Sequence, residues 1–218
     1  VNRRPALLAV AALTTAAALS LSACGGGDGD SKGDDKIEGA GSQASEKPSP
    51  SASAADKVDR PEIKLPKGVK NVFEGGETGD PKKDAILADN ERVINSMEEA
   101  VTVDSKKHPA LKFYLKGDAL ASAATYIQSF YDAGTTWTGE IRYFDREVTL
   151  LKGGAAAVTY CSDETKAYSK NRKTGVVKRS PGDADDYVSY NTRMEKNSKG
   201  VWQATMLTSE MGAKKCQP

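Results

Sequence analysis

From Asp80 onward the chain shows two hydrophobic periods, and the switch between them divides it. Asp80 is suited to a helix N-cap and Pro81 to the first helical position. Behind them Ile86, Val93, Ile94, Met97 and Val101 recur at helical spacing, with Asp89, Glu91, Arg92, Glu98 and Glu99 mostly on the other side. The pattern predicts a helix with one buried face and acids turned to solvent. Pro109 opens a short second helix through Leu111, Phe113, Tyr114 and Leu115, closed by Gly117. Asp118 then caps a third, whose stripe Leu120, Ala123, Ala124, Ile127, Phe130 and Tyr131 ends at Gly134.

From Thr135 the period falls to two. Trp137, Ile141 and Tyr143 alternate with Thr138, Glu140 and Arg142; Val148 and Leu150 lead to a turn at Gly153 and Gly154; Ala156, Val158 and Tyr160 return. Residues 165–169 and 176–179 predict a smaller hairpin around 171–175. After an acidic loop at 183–186, Val188, Tyr190, Thr192 and Met194 alternate, residues 197–200 turn, and Trp202, Ala204, Met206 and Thr208 alternate back. Helices first and strands afterwards predict an α+β domain over 80–218, three N-terminal helices packed on a curved antiparallel sheet. No internal repeat is present.

Upstream the pattern fades. Between Gly25 and Arg60 the large apolar residues are Ile37 and Val58, among abundant glycine, serine, alanine and charge. Such a composition cannot bury enough surface to offset ordering entropy, so 24–60 is expected to be a disordered linker reaching roughly 30 Å. Residues 61–79 carry Ile63, Leu65, Val69, Val72 and Phe73 between Pro61, Pro66 and the Gly75-Gly76 pair, which forbid a helix. They are expected to lie as an extended arm on the domain.

The first segment has a third pattern. Arg3 and Arg4 precede a charge-free run from Ala6 to Ala23, and Leu21, Ser22, Ala23 and Cys24 close it. This resembles the bacterial lipoprotein signal, whose box ends in an invariant cysteine. The resemblance implies a signal peptide over 1–23, cleavage before Cys24, a diacylglyceryl group on its sulfur with palmitate as a labelling precursor, and residence on the outer face of the cytoplasmic (plasma) membrane. Competing readings are an uncleaved transmembrane helix, a secretory signal cut after Ala23 that leaves a plain cysteine, and a buried helix of a cytosolic protein. The arginine pair is a hint of a twin-arginine export route. Val1 reads as a literally translated alternative start codon or as the start of a trimmed chain.

Composition narrows the classes. With 31 basic against 30 acidic side chains in 218 residues, the chain lacks the basic excess of a nucleic-acid binder. Near-neutral charge also gives no electrostatic reason to hug an anionic bilayer, which leaves membrane attachment to the lipid on Cys24. Of the 3 cysteines, Cys161 and Cys216 then remain as an even pair in an oxidising compartment, so a disulfide is expected. The alternatives are two unrelated thiols or a metal site, although neither cysteine has a second cysteine or histidine at ligand spacing.

Two resemblances reach further. Gly79-Asp80-Pro81, residues 84–90 (Asp84 to Asn90), Thr159-Tyr160-Cys161, Tyr190-Asn191-Thr192-Arg193, Gly200-Val201-Trp202-Gln203 and residues 212–218 resemble a family of actinobacterial, especially streptomycete, lipoproteins of uncharacterised function. The order of elements resembles the NTF2-like cone fold of polyketide cyclases (SnoaL-like), ketosteroid isomerases and limonene epoxide hydrolases. That likeness implies a pocket inside the cone. Tyr126, Trp137, Tyr143, Tyr160, Tyr190 and Trp202 are the candidates to line it, each weighed against a plain core or surface role.

Enzymes of that fold set an aspartate or histidine in the cone as base, with a tyrosine or second acid polarising the substrate. Here the acids read as caps, turns and helix exteriors, as with Asp80, Asp118, Asp163, Asp183, Asp185 and Asp186, and the 1 histidine, His108, precedes Pro109 in a polar linker. Arg142, Glu147 and Arg193 read as members of cross-strand ion pairs. Lys166, Lys170, Arg172, Lys173, Lys178 and Arg179 suit either a solvated hairpin or an acidic wall polymer. No phosphate loop, nucleophile elbow or metal-ligand spacing appears, so no catalytic residue, metal or cofactor is assigned. The leading expectation is a non-catalytic binding or accessory domain of the envelope whose partner is a cell-wall polymer, a small ligand or an envelope protein. An isomerase- or cyclase-like enzyme and a partner-docking module are the alternatives. A pocket holding a buried carboxylate or His108 beside a tyrosine would favour the enzyme, and a filled cone would exclude it.

Overall fold

The computed structural model describes residues 58–105 and 107–218. The expected signal peptide, with Leu21, Ser22, Ala23 and Cys24, and the expected linker as far as residue 57 lie outside the described residues. Among the described residues six strands and three α-helices follow one another as β1 (Val69–Phe73), α1 (Pro81–Thr102), α2 (Pro109–Tyr114), α3 (Gly117–Asp132), β2 (Thr135–Leu150), β3 (Ala156–Asn171), β4 (Val177–Lys178), β5 (Tyr187–Lys196) and β6 (Trp202–Met211). No helix among the described residues is long and apolar enough to cross a membrane.

Helix α1 starts where Asp80 and Pro81 predict. The Asp80 carboxylate accepts from the N–H groups of Lys82 (2.8 Å) and Lys83 (3.3 Å), satisfying two of the donors a helix start leaves open. Helix α3 departs from expectation: it begins at Gly117, with Lys116 at the cap position and no capping side chain, so Asp118 lies inside its first turn. The larger correction concerns the acids of α1. Asp89 (2% exposed), Glu91 (7%) and Glu98 (5%) are buried, because the helix is covered on more than one side.

The sheet runs β1-β2-β3-β5-β6, with β4 pairing β3. It is mixed rather than antiparallel throughout. The expected arm supplies a strand, β1, which lies parallel to β2 with Val69 opposite Gly139 and Phe73 opposite Tyr143. One strand therefore precedes the helices and the remainder follow. β1 also backs the core: the Phe73 ring stacks on Tyr143 at 4.9 Å, and the Arg146 guanidinium lies 5.2 Å from the Phe73 ring centre.

Three register shifts bend the strands. Glu164 and Thr165 of β3 together oppose Ile141; Asp145 and Arg146 of β2 together oppose Tyr160; and Thr205 is the extra residue of β6 opposite the Arg193-Met194 step. Each bulge adds local twist and switches which residues face the helices. Gly139 serves the first bend: at φ 118°, a side chain there would meet the Lys166 carbonyl oxygen at 2.0 Å. The third bulge corrects the reading of β6. Trp202 and Ala204 face inward as expected, but beyond Thr205 the inward residues are Leu207 and Ser209, and Met206 is left 48% exposed.

The helices pack on one face of this sheet around Ile86, Leu87, Val93, Tyr114, Leu115, Val158 and Met194, all buried. Two buried ionic groups are fixed in that layer. Arg146 Nη1 donates to Glu91 Oε1 at 2.7 Å and Nη2 to the Leu87 carbonyl at 3.0 Å. Asp89 accepts from Arg60 Nη1 (2.8 Å), Arg92 Nη1 (2.9 Å) and the backbone N–H of Trp202 (2.8 Å). The last residues of the expected linker thus lie on the domain, with Val58 packed against the core.

On the opposite face Cys161 and Cys216 form the expected disulfide, across a sequence separation of 55. It ties the C-terminal turn to β3 within a small cluster containing Ala213, Phe144 and Tyr187. The cross-strand reading of Arg142 also holds, since its guanidinium reaches Glu74 on one side (3.3 Å) and Asp163 on the other (3.5 Å). Arg193 instead pairs within its own strand, with Glu195 at 3.0 Å.

Candidate functional site

Glu98 lies one helical turn after Ile94 and one before Val101, on the side of α1 that meets the sheet. Opposite it β2 brings Trp137, whose indole N–H donates to Glu98 Oε2 at 2.7 Å. Tyr126 approaches from α3, close enough that its hydroxyl and the Glu98 carboxyl shift each other's affinity for protons. The Glu98 side chain forms part of the wall of a cavity of about 190 Å³ between α1, α3 and the sheet.

Strands β2, β3 and β5 each contribute a tyrosine to this cavity: Tyr143, Tyr160 and Tyr190. They pack on one another, Tyr160 and Tyr190 stacked at 4.9 Å and Tyr143 edge-on to Tyr160 at 6.1 Å. Ile94, Met97 and Leu207 add aliphatic wall. Exposed Ser122 and Ser209 also border the cavity, and Tyr126, which lines it, is 37% exposed. The opening therefore lies between α3 and β6.

Four of the six aromatic candidates, Tyr126, Tyr143, Tyr160 and Tyr190, come together here. The two tryptophans do not line the cavity. Trp137 stands behind Glu98 and holds it. Trp202 is buried at the start of β6, where its backbone N–H meets Asp89 and the Lys82 ammonium lies 6.0 Å from its ring. His108 is also absent from the lining and precedes α2 in the chain, at its cap position. Among the described residues no three of histidine, cysteine, aspartate and glutamate come together as a metal-ligand set.

A second carboxyl stands close by. Glu164, at the first bulge, accepts at Oε1 from Ser162 Oγ (2.7 Å) and from the Tyr190 hydroxyl (3.1 Å). Both acids pass unrecognised in sequence reasoning. Glu98 falls on the same i, i+3, i+4 ladder as Ile94 and Val101, and Glu164 extends the alternation Tyr160, Ser162, so spacing rather than residue type held the signal.

The field at the site follows from this company. Burial pushes the Glu98 carboxyl up to about 8; the indole hydrogen bond and the Tyr126 hydroxyl pull the other way, and the neighbouring Glu164 charge adds to the rise. Burial likewise raises Glu164, against the hydrogen bonds from Ser162 and Tyr190. Burial drives the tyrosine hydroxyls upward as well, Tyr160 to about 12 and Tyr126, Tyr143 and Tyr190 well above the ordinary range, with the Glu98 charge adding to each. Burial therefore favours the protonated form of the Glu98 carboxyl at the cavity wall. The arrangement is a small, largely apolar chamber with one acid of near-neutral affinity and several weakly acidic hydroxyls.

No family model matches the sequence, and no curated protein matches it. Among solved structures, the chain is similar to a ketosteroid isomerase-like protein from Erwinia carotovora atroseptica, with 17% identity, a TM-score of 0.42 and coverage of 60% of this chain and 95% of that one. The intermembrane space region of the chloroplast protein ARC6 matches with 11% identity and a TM-score of 0.35, over 56% of this chain and 94% of that one. A provisionally assigned ketosteroid isomerase from Shewanella frigidimarina matches with 14% identity and a TM-score of 0.35, over 64% and 100%. With TM-scores under 0.5, the reading of the site rests on its own geometry.

Proposed function

We propose that the protein is a lipid-anchored domain of the cell envelope that captures a small organic molecule in the tyrosine-lined cavity, with Glu98 as the polar group that molecule meets. The observation that carries this is the buried Glu98 carboxyl, held by Trp137 and forming part of the wall of a mostly apolar chamber. About 190 Å³ exceeds the roughly 150 Å³ of an engineered apolar cavity that takes up benzene, so a single ring or short branched chain is the right size. The helices-over-bent-sheet arrangement supports reading the domain as an NTF2-like cone. The Leu21-Ser22-Ala23-Cys24 box supports attachment through diacylglyceryl-Cys24 on the outer face of the cytoplasmic membrane.

Titration of the full chain with single-ring probes such as phenol and cyclohexanone, followed by amide and indole chemical shifts, tests the cavity. Saturable shifts at Trp137 and around Glu98 are expected, weakened by Leu207→Phe, which narrows the chamber. A uniform absence of saturable shifts would sink the proposal. For the anchor, palmitate incorporation that survives Cys24→Ala would do the same.

A second reading, acid–base catalysis of the isomerase or cyclase kind, is favoured by one observation: Glu98 stands beside the Tyr126 hydroxyl within the cavity, so a proton donor and an acceptor address the same space. Turnover that Glu98→Gln abolishes while probe binding persists would separate catalysis from capture.

A further inference from the structure

We propose that the ligand of this cavity is a compact organic cation, an alkylated ammonium group; the inference rests on the capture reading above and names the chemistry of what is captured. Among the described residues the lining contains Glu98 and four tyrosines and no lysine, arginine or histidine. Nearby guanidinium groups are committed elsewhere. Arg146 is held by Glu91 and the Leu87 carbonyl, and Arg172 donates to the Val101 carbonyl while its guanidinium lies 3.8 Å from the Tyr131 ring centre. Glu98 thus has the Trp137 donor and, among the described residues, no counter-ion, in a chamber where a second carboxyl, Glu164, bonds to one of the lining hydroxyls.

Aromatic rings add to this preference, because the negative face of a tyrosine attracts an ammonium group, and more strongly where water is excluded. Ile94, Met97 and Leu207 suit methyl groups better than the hydration shell of a bare ammonium ion. An anionic ligand would meet the Glu98 carboxyl, with Glu164 behind the Tyr190 hydroxyl, and no basic group among the described lining residues. A neutral ligand would fit the space and leave the electrostatics unused.

Isothermal titration calorimetry of the full chain at pH 7 tests this with three probes of one shape: choline, the neutral 3,3-dimethylbutan-1-ol and the anionic 3,3-dimethylbutanoate. Choline is expected to bind about tenfold more tightly than the alcohol, and the anion not at all. Cation entry favours ionised Glu98, so choline binding should release a proton, seen as a heat that varies with the ionisation enthalpy of the buffer. The other groups facing Glu98, namely Tyr126 from α3, Tyr143 from β2, Tyr160 and Glu164 from β3 and Tyr190 from β5, all have raised affinities for protons. Glu98→Gln should abolish that release and most of the preference for choline, leaving the alcohol bound. Equal binding of choline and the alcohol would overturn the cation inference and leave capture standing. Binding of none of the three, with no saturable shift from the single-ring probes, would overturn both.

Discussion

Trp137 and Glu98 are 39 residues apart in sequence, and a 2.7 Å hydrogen bond joins them in the interior, from a strand to a helix. A buried carboxyl with one good donor and no cation is an unusual thing for a domain to maintain. It lowers stability whenever the unfolded chain can ionise and the folded one cannot.

The sign of that effect is fixed by the direction of the shift. Glu98 moves from an ordinary value of 4.5 to about 8 on folding, so between those pH values the unfolded chain binds fewer protons than the folded one, and stability falls as pH rises. Glu98→Gln keeps an acceptor for Trp137 and removes the ionisation. The variant is expected to be more stable at pH 7 by on the order of 3 kcal/mol, with the gain vanishing below pH 4.5. Urea melts at a series of pH values measure this; equal slopes for both proteins would refute it.

Trp137→Phe removes the donor that favours the charged carboxylate. The Glu98 pKa should rise further, and about 1–2 kcal/mol of stability should be lost through the unpartnered acceptor. Carboxyl carbon shifts followed through a pH titration read the first effect, and thermal unfolding the second. A lowered pKa would contradict the assignment.

Arg146 is fully buried and Glu91 is its carboxylate partner. Glu91→Ala alone is expected to cost about 3–5 kcal/mol, because it strands a guanidinium in the core. The double variant Glu91→Met with Arg146→Met should recover most of that loss. If the single and double variants unfold at the same urea concentration, the pair is not acting as a unit.

Reduction or Cys216→Ser should cost about 4 kcal/mol by releasing a loop of 55 residues in the unfolded chain. Differential scanning calorimetry with and without reductant reads the drop. An unchanged midpoint would mean that the bridge constrains nothing.

These particulars also show which features were legible in the sequence. The start of α1 was, because Asp80 and Pro81 act within their own turn. So was the disulfide, because the arithmetic of cysteines does not depend on packing. The change of period at Thr135 located the boundary between helices and the main strands.

What failed was the step from residue type to side. Ile86 to Asp89 to Val93, Leu87 to Glu91 to Ile94, and Ile94 to Glu98 to Val101 are all helical neighbours, yet charge made the acids read as the outer face. Apart from Arg92, which bonds to Asp89 within the helix, their partners come from far along the chain, Arg60, Trp137, Arg146 and Trp202, and no local window contains those. The bulges left a fainter trace. Inward residues are odd-numbered through Tyr143 and even-numbered from Arg146 to Val148, a change of phase that an unbroken strand cannot make. The parallel strand β1 was hidden because its pairing with β2 spans the whole helical layer.

The clamp on Asp89 has a mechanical consequence. Tension arriving along the backbone from residues before Arg60 would meet that arginine, fastened to α1 through a shielded charge pair, before it could peel β1 from the edge of the sheet. The entry point of load is then the middle of the longest helix instead of a zipper of strand bonds, and Arg60→Ala should lower the rupture force recorded when a single molecule is pulled from its N-terminal side.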